Sequence, residues 1–155
     1  MRRAFIGLGS NLGDRERYLQ DALNQLCEGG DVVSVSPIYE TDPVGGPPDQ
    51  GAYLNVVVEL NSDDTPHELL RRCQRLEQDA QRVRTVRFGP RTLDADVLYI
   101  DGQTVTEEDL VVPHPRMFER RFVLAPLRDL APELVPADRL ASAFGEVAIV
   151  GMLKL

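Results

Sequence analysis

Lysine is almost absent from this chain: Lys154 is the only one, and every other basic side chain is an arginine. Aromatic residues make up only 6%, which disfavours an RNA-recognition surface built on stacked aromatic side chains. The two cysteines, Cys27 and Cys73, are too few for a disulfide framework and read as buried free thiols. No hydrophobic run is long enough to span a bilayer, and no N-terminal stretch combines a charged start, an apolar run and a small-residue cleavage site. A cytoplasmic protein without a membrane partner is expected. The chain has no Gly-Lys-Ser/Thr of a P-loop. In Gly7-Leu8-Gly9-Ser10-Asn11-Leu12-Gly13 the third glycine falls one residue late for a dinucleotide fingerprint. Internal repeats, low-complexity tracts and linkers are also missing.

What is present fits one compact unit. A chain of 155 residues matches the usual size of a single domain, here 1–155. With 43% hydrophobic and 27% charged residues, a real core is expected. The formal net charge is −8, which argues against a general nucleic-acid or anionic-membrane binder. Any cationic site must be local, and the arginines are concentrated accordingly. Arg71, Arg72, Arg75, Arg82, Arg84, Arg87 and Arg91 fall within 21 residues, and Arg116, Arg120 and Arg121 form a second cluster.

The order of elements follows from periodicity and punctuation. Ala4 to Gly9 is short, apolar and stopped by glycine, which predicts a strand. Asp14 caps a helix with apolar positions at Leu19, Ala22, Leu23, Leu26 and Cys27, ended by Gly29-Gly30. Val32 to Tyr39 predicts a second strand, followed by a proline- and glycine-rich loop from Asp42 to Gly51. Tyr53 to Leu60 predicts a third strand. Thr65-Pro66-His67-Glu68 is a capping-box helix start, leading into the stripe Leu69, Cys73, Leu76, Ala80 and Val83. A loop from about Arg84 to Thr92 precedes a fourth strand, Leu93 to Ile100. The order β-α-β-β-α-β predicts a ferredoxin-like α+β sandwich, an antiparallel sheet with two helices on one face. A C-terminal helical extension from about Val105 is expected to follow it, with a helix from Phe118 to Leu130 interrupted by Pro126 and a short final strand or helix.

The candidate chemistry sits around the fourth strand. Asp94 and Asp96 are two residues apart, so a strand puts both carboxylates on one face. A hard divalent cation such as Mg2+ takes one or two carboxylates and completes its shell with water and phosphate oxygens. An isolated Asp-x-Asp would more often be a solvated edge pair. Here Arg82, Arg84, Arg87 and Arg91 precede it with no acidic residue in between, and guanidinium groups bind phosphate bidentately. Phosphate with magnesium satisfies both halves. Gln74 and Glu77 share a polar helical stripe leading into the arginines. His114, held between Pro113 and Pro115, can donate to a phosphate. Tyr53 and Asn55 share one strand face, an aromatic surface beside an amide able to read a heterocycle.

The stretch Arg87-Phe88-Gly89-Pro90-Arg91-Thr92-Leu93-Asp94-Ala95-Asp96-Val97-Leu98 closely resembles the signature of the 6-hydroxymethyl-7,8-dihydropterin pyrophosphokinase family. Phe5 to Gly13, Tyr53-Leu54-Asn55, and Val112 to Met117 followed by Arg120 and Phe122 extend the resemblance over nearly the whole chain. It implies transfer of a pyrophosphoryl group from ATP to 6-hydroxymethyl-7,8-dihydropterin, releasing AMP, on a ferredoxin-like fold. By motif position, Asp94 and Asp96 would be the ligands of two Mg2+ ions. Arg82 and Arg91 would steady the transferred group. Gln74, Glu77, Arg84, Arg87, Val97, His114 and Arg120 would line the ATP site. Thr41, Val44 and Asn55 would read the pterin edge, with Tyr53 and Phe122 stacking on its faces. The chain departs from relatives at Phe88, Ala95, Asp109 and Val111. A monomer is expected. The competing reading is a non-catalytic sensor domain that binds nucleotide or pterin.

Overall fold

The computed structural model describes residues 1–41, 52–81, 92–143 and 145–155. Both long predicted loops therefore fall almost entirely outside the described residues, as do Arg82, Arg84, Arg87, Arg91 and Val44.

The predicted β-α-β-β-α-β order is present. Strand β1 (Arg2–Ser10) leads to helix α1 (Arg15–Cys27), strands β2 (Val32–Val35), β3 (Pro37–Thr41) and β4 (Tyr53–Ser62), helix α2 (Pro66–Gln81) and strand β5 (Asp94–Ile100). With the C-terminal strand β8 (Val147–Met152), the sheet runs β5-β1-β4-β3-β8, with β2 also paired to β4, and every pairing is antiparallel. Helix starts are local in origin. The Asp14 side chain accepts from Arg17 N, and Thr65 and Glu68 exchange the reciprocal bonds of a capping box.

Two expectations needed correcting. The second predicted strand is two, because Pro37 has no N–H to give the ladder. The buried Ser36 bridges the break: its Oγ accepts from Val57 N at 2.9 Å and donates to Pro37 O. The helix expected from Phe118 begins later, as α3 (Arg121–Leu130) after a 3-10 turn at Met117–Glu119, and it continues through Pro126 instead of being interrupted there. The C-terminal extension carries the expected helices and ends in a strand, one of the two endings expected. Beyond the β6 (Val105–Thr106) and β7 (Val111–Val112) hairpin, α3 and α4 (Ala137–Ser142), the chain returns as β8 (Val147–Met152) and pairs with β3.

The sheet is covered on both faces, so its central strands are apolar on both sides. Ala4, Ile6 and Leu8 of β1 join Leu54, Val56, Val58 and Leu60 of β4 against Leu19, Leu23 and Leu26 of α1 and Leu69, Cys73 and Leu76 of α2. Phe5, Val57 and Leu98 pack on the other side against Leu124 and Leu127 of α3. Cys73 is buried and Cys27 half-buried, and neither is in a disulfide.

Arg72 ties the helix layer together. It pairs with Asp31 at 2.8 Å and Asp64 at 2.9 Å and donates to Leu26 O at the end of α1. Asp31, although partly desolvated, is held below the usual carboxylate range by Arg72. Such a group contributes stability that is complete above the unfolded carboxylate pKa of about 4 and lost as pH falls through the lower folded value. Arg72→Met is expected to cost about 2 kcal/mol at pH 7 by leaving two carboxylates unpaired. In chemical denaturation the deficit relative to wild type should shrink by pH 3, and an equal deficit at both values would contradict the assignment.

Candidate active site

One end of the sheet is open on the α3 side, and cross-strand register explains why. Asn55 of β4 lies opposite Gly9 of β1, and Gly9 opposite Asp94 of β5. The next row on this face is Val57, Gly7 and Asp96. Because strand side chains alternate, Gly7 and Gly9 are the two positions of β1 that face this side near its end, and neither fills it. A Cβ at Gly9 would come within 2.8 Å of Asn55 Oδ1, and one at Gly7 within 3.2 Å of a Leu98 methyl. The glycines read in the sequence as a failed dinucleotide fingerprint thus clear a floor between the aspartates and the amide.

The resulting cavity, about 310 Å3, is lined by Thr41, Tyr53, Asn55, Asp94, Asp96, His114, Arg116, Arg120 and Phe122 among others. Thr41 on β3 pairs with Tyr53 on β4, and both line the cavity together with Asn55 and Phe122, while Val44 lies outside the described residues. Thr41 and Asn55 are buried, yet Thr41 Oγ1 and Asn55 Nδ2 have no hydrogen-bond partner among the described residues. Buried polar atoms are nearly always satisfied, so these two are ready for a polar ligand. Asp94 is half-buried and Asp96 exposed, a pair of hard oxygen donors on one open face, which is the donor chemistry of a divalent cation.

The opposite wall comes from the segment after β7. His114 N donates to Leu98 O at 2.8 Å, pinning this segment to the strand that carries the aspartates. Leu98 is the extra residue of a β5 bulge, since Phe5 pairs with Tyr99 and Ile6 with Val97. His114 Nδ1 accepts from Arg116 N, which leaves Nε2 as the ring's donor. Burial lowers the His114 pKa; Asp96 opposes this, while Arg120 and Arg116 add to it. The Arg120 guanidinium lies 5.6 Å from the centre of the Phe122 ring, within cation–π range.

Other predicted residues lie elsewhere. Val97 points to the opposite sheet face, where it is buried among the α1 and α2 side chains, so its side chain does not line the cavity. Gln74 is exposed and Glu77 half-buried on α2, the helix whose apolar side packs on the sheet face opposite the cavity. Burial, with the charges of Asp96 and Glu77, pushes up the Cys73 thiol. Arg116 lines the cavity without having been assigned a role from sequence.

The chain matches the family model of 7,8-dihydro-6-hydroxymethylpterin-pyrophosphokinase over residues 5–132. It belongs to that family. It is 48% identical over 133 residues to the 2-amino-4-hydroxy-6-hydroxymethyldihydropteridine pyrophosphokinase of Bacillus subtilis, covering 84% of this chain and 79% of that one. With the enzyme of the same name from Methylorubrum extorquens the figures are 45% over 137 residues, 87% and 86%. Among solved structures, an HPPK-DHPS protein in complex with substrates aligns with a TM-score of 0.65 at 13% identity, covering 85% of this chain and 40% of that chain. This pyrophosphokinase chain therefore spans about 40% of the length of that two-part relative, and the likeness bears on fold alone.

Gly9→Ala is expected to displace the Asn55 amide and cost about 1–3 kcal/mol, the usual range for overpacking. Denaturation measures the cost, and a shifted Asn55 side-chain amide resonance reports the displacement. An unmoved resonance would mean that the floor has more room than the register indicates.

Proposed function

We propose that this cavity is where the family's reaction takes place, with Asp94 and Asp96 as the metal-binding pair and Thr41, Asn55, Tyr53 and Phe122 as the pterin patch. The reaction is transfer of a pyrophosphoryl group from ATP to 6-hydroxymethyl-7,8-dihydropterin, a step of folate synthesis. The observation that carries the site assignment is the convergence on one open sheet face of two carboxylates, two unsatisfied buried polar atoms and a facing cationic wall.

Asp94 and Asp96 suit Mg2+, two ions being the number the family resemblance implies, and bound there the metal would neutralise phosphate charge. The rest of the work falls to the chain's own groups. Thr41 Oγ1 and Asn55 Nδ2 present an acceptor or donor and a donor to the edge of a heterocycle. Tyr53 and Phe122 offer aromatic surface to its faces. The substrate's hydroxymethyl oxygen forms the new bond to the β-phosphorus of ATP, and the bond from that phosphorus to the oxygen of AMP breaks. His114 and Arg120 on the opposite wall donate to phosphate oxygens. We assign Arg82 and Arg91 to the transferred group, Gln74, Glu77, Arg84 and Arg87 to the nucleotide and Val44 to the pterin, on motif position alone. Alignment and charge neutralisation supply catalysis, as is usual for phosphoryl transfer.

The test is incubation with ATP, Mg2+ and 6-hydroxymethyl-7,8-dihydropterin followed by separation of the nucleotides. Pterin-dependent AMP is expected. ADP, or no turnover by folded protein, would overturn the reading, the latter in favour of a non-catalytic sensor.

Asp94→Ala and Asp96→Ala should each reduce turnover by at least about 100-fold, a loss typical of removing charge stabilisation at a reacting phosphate. Their circular dichroism should match that of wild type, because neither side chain belongs to the core. Full turnover in either variant would remove the metal assignment.

A further inference from the structure

Arg116, Arg120 and Arg121 are close together in sequence, but the fold gives them three different tasks. Arg121 is committed to structure: its Nη1 donates to Gly145 O at 2.7 Å, its Nη2 to Ala141 O at 3.2 Å and its Nε to Leu140 O at 3.4 Å. It ties α3 to the end of α4. Arg120 lies against the Phe122 ring. Arg116 lines the cavity, yet its guanidinium makes only one contact among the described residues, from Nε to Glu119 Oε2 at 3.4 Å. That is long for a charge-assisted bond, and both side chains are more than half exposed, 56% and 60%. A pair of this kind is worth little and exchanges easily.

The backbone beneath Arg116 is fixed by contrast. Its N–H donates to His114 Nδ1, and His114 N is bonded to Leu98 on β5. The guanidinium is thus a weakly held fork on a fixed base at the cavity mouth, with both η nitrogens unpaired among the described residues and a weak intramolecular partner on its remaining nitrogen.

We propose that Arg116 is a nucleotide-affinity residue: it exchanges Glu119 for a phosphate group of ATP, so that Glu119 acts as a competing internal anion. This rests on the functional reading above and adds to it a residue and its competitor. Because Arg116 stands at the exposed mouth, it contributes equally to substrate and transition-state binding. Its removal should then alter the KM for ATP and leave kcat unchanged.

Binding of MgATP and of adenosine is measured by titration calorimetry, with steady-state kinetics alongside. Arg116→Ala should weaken MgATP binding about fivefold, the loss of one exposed ion pair, without changing the affinity for adenosine or the KM for the pterin. Arg116→Lys should recover part of the loss. Glu119→Gln should shift MgATP affinity the opposite way, tightening it, a change that a merely structural pair would not produce. Unchanged MgATP affinity in Arg116→Ala, or weaker binding in Glu119→Gln, would overturn the proposal. Failure of the functional reading shows separately, as absence of pterin-dependent AMP from the wild type.

Discussion

Strand β1 is central in a sheet covered on both faces, and such a strand must supply apolar side chains alternately to each. It does so through Ala4, Phe5, Ile6 and Leu8, and on the α3 side it stops doing so at Gly7 and Gly9. The missing side chains are the constraint on which the site depends. With any Cβ at position 9 the Asn55 amide could not hold its place, and with bulky residues at both positions the floor between β4 and β5 would close. Glycine in a strand interior carries an intrinsic cost of roughly 0.5–1 kcal/mol relative to alanine, which at position 9 is outweighed by the clash an added Cβ would make with Asn55.

A floor needs a wall held in register with it, and here one bulge does much of that work. The extra residue Leu98 lets β5 turn its last residues relative to β1, packs into the α3-side core and offers its carbonyl to His114. The cationic wall is thereby fastened to the strand that carries the aspartates. Behind it, the Tyr39 hydroxyl donates to Asp129, joining β3 to the end of α3, while Arg121 holds α4 to the start of α3. The two walls belong to segments far apart in sequence, so their separation is set by these long-range ties.

How much of this could be read in advance follows from the range of the interaction involved. The caps at Asp14 and Thr65 act within a few residues and were legible, as was the common face of Asp94 and Asp96, because alternation is a local rule. The same rule places Val97 on the other face. The family motif put it at the nucleotide site, and the structure places its side chain as alternation requires. The split at Ser36 depends on a hydroxyl reaching Val57 on a neighbouring strand, and the place of β8 depends on pairing with β3 more than 100 residues away. Neither leaves a periodic signal. The paired glycines did leave one, at spacing two on a single strand face, but their purpose becomes visible only when Asn55 is brought opposite. The three arginines of the second cluster are indistinguishable in sequence because their roles are set by what folds around them.

The polar atoms left unsatisfied around the end of β1 bear on the same balance. Among the described residues Thr41 Oγ1 and Asn55 Nδ2, which line the cavity, are buried without partners, as are Ser10 Oγ and the Asn11 amide at and just past the end of β1, and each such group costs roughly 1–3 kcal/mol in the free protein. A ligand that hydrogen-bonds to both cavity atoms recovers that cost on binding, whereas one that merely fills the space does not. Two unsatisfied atoms therefore discriminate between heterocycles of similar shape more strongly than added apolar contact would. At the proposed pterin patch, the aromatic surfaces of Tyr53 and Phe122 would supply affinity with little selectivity, and the buried Thr41 and Asn55 would decide which edge is accepted.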